Sequence, residues 1–343
     1  MEKGLVFINL FLEIKELRTD CTTKKCKDDM KTITHTFRTL LVLMLFFYSI
    51  GTYAQGKEAF YNNDSVDTCP LADKELIDTC YDLLDRNMML ETDGMYGQIA
   101  VIDAATSEVL AWAALEKQLD DECDGCGDMV YVPFKKQVCS TDIFVPFIAA
   151  NCLEKSNTPL GKMVDTEYGI LEVNDSLKIR DHNWRRGGYG KVTFEKALLM
   201  KSRIGMYKAF MTMPNGAVLW EQAYDTIQKS NAIELAISFN QMYHQKSSLE
   251  YVKIIATGIF EKTGIQHRLA PRGIKLAGIY NIRQCDDNKR SSDEFTFVGC
   301  FPADNPKYTI GMVVVRPHKL PATIGMLSKE VNLLIEWLMT RKK

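Results

Sequence analysis

The order of strand-like and helical segments predicts an α+β fold. Three observations carry it. Paired strand patterns open the folded region near residues 98–115. Helical spacing fills the middle of the chain. Three further strand patterns and an amphipathic helix close it. Net charge is −2, from 42 basic and 44 acidic side chains, with 46% of residues hydrophobic and 25% charged. These proportions exclude a disordered, collagen-like or multi-span membrane chain. With no basic excess to neutralise phosphates, no nucleic-acid partner is expected. A chain of 343 residues can bury a sizeable core in one large domain or two modest ones.

In chain order, Leu71 to Leu90 has helical spacing, with Leu71, Leu76, Ile77, Cys80, Leu83 and Leu84 on one side. Gln98 to Asp103 and Val109 to Leu115 read as strands around the turn Ala104–Glu108, a hairpin. A polar, acidic loop runs on to about Lys136. Ile143 to Leu153 is apolar and helical, with Asp142 as its expected N-cap. Thr193 is the expected cap of one helix over Phe194 to Phe210, and further helices are expected around 217–229 and 232–244. Ile274–Ile282, Phe295–Phe301 and Thr309–Arg316 read as strands, the last two joined by turn chemistry at Pro302-Ala303-Asp304-Asn305-Pro306. Thr323 to Met339 closes the chain as an amphipathic helix, with Arg341, Lys342 and Lys343 at its negative dipole end.

Upstream, residues 30–54 have the layout of a secretory signal peptide. Lys31 and Arg38 precede an apolar run from Leu40 to Ile50, and Thr52 and Ala54 provide small residues before Gln55. The run is shorter than the roughly 20 residues of a spanning helix. Left uncleaved, the segment would be a membrane tether. Residues 1–29 read as an extension from a mis-assigned start, with translation beginning at Met30. Beyond the signal, Cys69, Cys80, Cys123, Cys126, Cys139, Cys152, Cys285 and Cys300 are an even set, compatible with disulfides in an exported protein. Cys123-Asp124-Gly125-Cys126 spells CxxC, but five carboxylates around it disfavour a thiolate. It also lacks a second half for zinc. An EF-hand starting at Asp120 fails because position 12 is Tyr131. No metal and no cofactor are expected.

The segments Tyr96–Trp112 (YGQIAVIDAATSEVLAW), Phe144–Ala150 (FVPFIAA), Ile179–Lys208 (IRDHNWRRGGYGKVTFEKALLMKSRIGMYK) and Phe295–Val315 (FTFVGCFPADNPKYTIGMVVV) resemble, in this order, the transpeptidase domain of penicillin-binding proteins. The resemblance covers roughly residues 95–340. It implies a central, mainly antiparallel β-sheet flanked by helices, plus an all-α subdomain. Residues 95–343 are then the transpeptidase-like domain, preceded by a short helical segment over 55–94.

That family's chemistry rests on S-x-x-K, S-x-N and K-T-G, in which a lysine amine takes the proton of a serine that attacks a D-alanyl carbonyl or a β-lactam. Here the first motif aligns with Asp142 and Val145, the second with Lys201-Ser202-Arg203, and the third with Ile279-Tyr280-Asn281. None is intact. No serine in the chain is followed by lysine three positions later. Lys262-Thr263-Gly264 spells K-T-G but precedes the strand where the motif belongs. Ser140 and Ser202 are the fallback nucleophiles. The resemblance therefore implies a pseudoenzyme of the periplasm or cell envelope that binds peptidoglycan or another envelope protein. An active acyl-enzyme former and a secreted disulfide-stabilised interaction module are the competing readings. Outside the motifs, Trp184-Arg185-Arg186 reads as an exposed loop that could touch a glycan or an anionic polymer, and His182 as a turn residue.

Overall fold

A computed structural model describes residues 73–119, 127–132, 139–175, 177–224, 229–244, 250–287, 290–319 and 321–341. The signal-like segment, the extension before it, Leu71 and the CxxC pair lie outside them, as does the side chain of Ser140.

In chain order the described elements are α1 (Lys74–Arg86), β1 (Tyr96–Asp103), β2 (Val109–Leu119), β3 (Gly127–Tyr131), β4 (Cys139–Ser140), α2 (Val145–Lys155), β5 (Met163–Asp165), β6 (Ile170–Glu172), β7 (Lys178–Arg180), β8 (Lys191–Thr193), α3 (Phe194–Leu199), α4 (Arg203–Phe210), α5 (Gly216–Tyr224), β9 (Lys229–Ser230), α6 (Ala232–His244), α7 (Glu250–Gly258), β10 (Ala277–Asp287), β11 (Arg290–Phe301), β12 (Tyr308–Pro317) and α8 (Ser328–Thr340). Six strands form the main sheet in the order β10-β11-β12-β1-β2-β3, and every neighbouring pair is antiparallel. The chain is therefore α+β, with the sheet and helices expected from its sequence. The middle of the sheet joins the first hairpin to the last strands, which explains why both ends of the chain carry the strand patterns.

Strand alternation shows how the layers stack. On β1, a Cβ at Gly97 would meet Leu84 and Met88 at the end of α1, whereas the Gln98 side chain accepts from the backbone N–H of Ala232 in α6. Adjacent residues point to opposite faces, so α1 and α6 cover the two sides. α8 joins α1, because Asn87 donates to the Met326 carbonyl at 2.8 Å and to the Glu330 carboxylate at 2.9 Å. Covered on both faces, Ile99 to Ile102 are all fully buried. That burial is why these strands read as continuous apolar runs with little alternation.

Several boundaries differ from expectation for physical reasons. α1 starts at Lys74, where the Asp73 carboxylate accepts from the Leu76 N–H, and ends in a π-turn over Asn87–Thr92. The expected helix over 194–210 is two helices broken at Met200–Ser202. Asp142 does not cap α2. It lies in a 3-10 turn, Thr141–Phe144, and Phe144 takes the cap position with no side-chain bond. Pro146 in the first turn has no N–H, so one fewer donor asks for a cap. α7 carried no expectation from the sequence. Cys80, Cys152 and Cys300 are buried free thiols, so any disulfide framework excludes them. Burial pushes the Cys152 thiol up to about 12.

Close seating of α6 on β12 depends on Gly311, where a Cβ would lie 2.1 Å from the Ala232 carbonyl oxygen. Gly311→Ala is expected to cost about 2 kcal/mol. The urea midpoint should fall with an unchanged m-value. An unchanged midpoint would mean that α6 does not rest on this strand.

Candidate functional site

The break between α3 and α4 builds the centre of the site. The Ser202 N–H reaches back to the Ala197 carbonyl at 2.8 Å and the Lys201 N–H to Leu198 at 2.9 Å. Lys201 between them has φ 53. This is a Schellman turn with lysine where glycine is usual, at a cost of about 1 kcal/mol. Ser202 then caps α4: its Oγ accepts from the Gly205 N–H at 3.0 Å. The same hydroxyl donates to the Asp181 carboxylate, whose two oxygens lie at 3.0 and 2.9 Å. Asp181 is buried and also accepts from the Ile204 N–H at 3.1 Å. Burial raises its pKa, against the pull of the N–H groups of the α4 N-terminus and the Ser202 hydroxyl. Both capacities of the Ser202 hydroxyl are thus committed to structure.

Lys201 points the other way, toward the edge strand β10. Its Nζ donates to the Tyr280 carbonyl at 3.3 Å and to Asn281 Oδ1 at 3.0 Å. Asn281 Nδ2 donates in turn to Asp142 Oδ1 at 3.2 Å, and Arg283 Nη1 lies 3.4 Å from Asp142 Oδ2. Lys201, Asn281, Asp142 and Arg283 therefore form one polar chain from α4's threshold, across β10, to the turn before α2. Burial lowers the Lys201 amine to about 8, partly opposed by the charge of Asp142.

These groups line a cleft of about 650 Å³, together with His182, Arg203 and Tyr224. Arg203 is exposed, with its guanidinium 5.1 Å from the centre of the Tyr224 ring. His182 Nε2 lies 2.8 Å from the Tyr189 hydroxyl, and desolvation lowers its pKa. Lys201, Arg203 and Arg283 outnumber the single carboxylate of Asp142, so the cleft attracts anions.

The structure brings together Asp142, Val145, Lys201, Arg203 and Asn281, which all line this cleft. Ile279 and Tyr280 are absent from its lining and are fully buried. Tyr280 stacks across the sheet on Phe297, with ring centres 4.4 Å apart. Its backbone N–H and carbonyl are both held by the side-chain amide of Gln266, at 2.8 and 2.7 Å. Of the aligned triplet Ile279-Tyr280-Asn281, the residue that meets Asp142 and Lys201 is thus Asn281, and Arg283 follows on the same face. Arg283 was not legible from motifs; strand parity from Asn281 is the signal that would have found it. Lys262-Thr263-Gly264 lies in the turn after α7, not on a strand, and the Thr263 carbonyl accepts from Lys196. Ser140 lies on β4, paired with Lys229. Among the described residues no cluster of side chains fits a metal ion, and no helix is long and apolar enough to cross a membrane.

No protein-family model matches the sequence, and no curated protein matches it. Solved structures do. A peptidoglycan glycosyltransferase from Burkholderia ambifaria matches with a TM-score of 0.58 at 18% identity, over 79% of this chain and 98% of that one. The TP (transpeptidase) domain of penicillin-binding protein 3 from Burkholderia pseudomallei matches with a TM-score of 0.57 at 17% identity, over 80% of this chain and 96% of that one. The chain has a penicillin-binding-protein transpeptidase-like fold.

Lys201 yields a pH test. The folded chain releases this proton at about 8, whereas the unfolded chain holds it to 10.5. Between those values the unfolded state binds more protons, so stability gained from this group rises with pH. The stability of the parent relative to Lys201→Met should therefore rise as pH passes from 8 to 10.5. Denaturant titrations at several pH values read this directly, and a pH-independent difference would contradict it.

Proposed function

We propose that this chain is a catalytically inactive, transpeptidase-like protein of the cell envelope. It acts by binding peptidoglycan or an envelope protein through the cleft. The observation that carries this reading is the commitment of the cleft's polar centre. Acyl transfer by serine and lysine needs a hydroxyl within reach of an amine. The Lys201 amine is held by two carbonyl oxygens, and the Ser202 hydroxyl is held by Asp181 and Gly205. Asp142, aligned with the family's serine, offers a carboxylate bound by Asn281 and Arg283. The sequence supports the same reading, since no serine has lysine three places on.

The excess positive charge at Lys201, Arg203 and Arg283 favours peptidoglycan fragments with free peptide carboxylates as ligands. The signal-like layout of residues 30–54 supports export.

Intact mass after incubation with a reactive penicillin tests the loss of acyl transfer. The folded protein is expected to show no adduct. A shift of one ring-opened β-lactam, mapped to Ser140 or Ser202, would restore the active reading. Calorimetry with soluble peptidoglycan fragments tests the binding half, and Arg203→Ala should weaken binding by about tenfold. Equal affinity of parent and variant would remove the cleft from recognition.

A further inference from the structure

Three arginines near the cleft take no part in it. Arg180 ends β7, and Arg185 and Arg186 lie in the 3-10 turn Trp184–Arg186. The guanidinium groups of Arg180 and Arg185 each lie 5.3 Å from the centre of the same ring, the indole of Trp184. All three arginines are exposed. Among the described residues none of these guanidinium groups makes an ion pair or a hydrogen bond. Several carboxylates of the adjoining segments are engaged elsewhere. Glu172 pairs with Lys178, and Glu167 pairs with Lys208 at 2.8 Å. Asp181 is buried against Ser202, and Asp165 accepts from the Glu167 N–H at 3.0 Å. Three cations between Arg180 and Arg186, none in an ion pair among the described residues, leave positive charge that an anionic partner would neutralise.

The surface is also held stiff. Glu167 and Tyr168 have φ 51 and 53, a left-handed pair without glycine. Gly187, Gly188 and Gly190 have φ 88, 68 and 63. A Cβ on Gly188 would lie 2.2 Å from the Gly169 nitrogen, so the two turns interlock, and Asn183 donates to the Gly188 carbonyl at 2.9 Å. This interlock presents Tyr168 at 81% exposure beside the Trp184 turn. Backbone strain of this kind persists where surrounding structure over-determines it, and it clusters at binding sites.

We propose that Tyr168, Arg180, Trp184, Arg185 and Arg186 form a docking surface for an acidic segment of a protein partner, distinct from the cleft. Arginine, tryptophan and tyrosine are the residues that dominate protein interfaces. A guanidinium fork matches a carboxylate in two parallel hydrogen bonds. Two of the forks are pre-held by the indole, so less side-chain entropy is lost on binding. The same stacking favours a polypeptide over a glycan, because the indole is engaged by guanidinium groups instead of being offered to a sugar ring. This inference does not rest on the cleft being inactive.

The test uses the purified full chain and a labelled hexaglutamate peptide, read by fluorescence anisotropy at low ionic strength. Arg185→Ala with Arg186→Ala is expected to raise Kd about tenfold. Arg185→Lys with Arg186→Lys keeps the charge and loses the forks, and should still raise Kd about threefold. Lys262→Ala, an exposed cation elsewhere, should change nothing. An unchanged Kd in the alanine pair, or full binding by the lysine pair, would overturn the proposal. Tighter arginine-dependent binding of dextran sulfate than of the peptide would replace the protein partner with a glycan and overturn it equally.

Discussion

The left-handed backbone at Lys201 is the constraint on which the site depends. It ends α3, starts α4, and turns the amine toward β10 while Ser202 turns inward to Asp181. A helix running unbroken from Phe194 to Phe210 would place both side chains on its own surface and join neither to the sheet. The local cost of a lysine in this conformation is about 1 kcal/mol. It is offset by two backbone hydrogen bonds, a helix cap and a buried carboxylate satisfied by a hydroxyl and a backbone N–H.

From that point a single polar chain ties the two halves of the fold together. Asn281 belongs to the edge strand, Lys201 to the helical half, and Asp142 to the turn that introduces α2. An amide in the middle is well chosen: its oxygen accepts from the ammonium and its nitrogen donates to the carboxylate. Neither charged group then needs to meet the other directly, and the residual positive charge of Arg203 and Arg283 is left facing the open cleft. The Lys201 amine and the Ser202 hydroxyl are each bound to other groups and do not meet each other.

Much of this was legible in the sequence, and the failures have physical causes. The hairpin around Ala104–Glu108 and the strands Phe295–Phe301 and Thr309–Arg316 were clear because β-branched and apolar runs were bounded by strong turn residues. Thr193 was correctly read as a cap. Asp142 was misread because a good capping residue before an apolar run is local information, and Pro146 with the preceding 3-10 turn shifted the helix start by two residues. The break at Lys201 was hidden because Schellman turns are recognised by glycine, which is absent there. Of the aligned residues Ile279–Asn281 only Asn281 lines the cleft, while Ile279, on the same strand face by parity, is fully buried, a difference that the hydrophobic pattern could not expose. Arg283 depends on a contact across 141 positions of chain, beyond any local signal.

The Gln266 amide on the β10 edge has a consequence for assembly. Sheet edges are templates for further strands, and proteins that persist must blunt them. Here the peptide groups of Tyr280 are already paired, by a side chain that mimics one residue of a neighbouring strand. An incoming strand therefore competes at that point with a tethered amide and not with water, and the tether gives that amide a standing advantage in concentration. The edge is guarded at its middle by a single glutamine, leaving recognition to side chains.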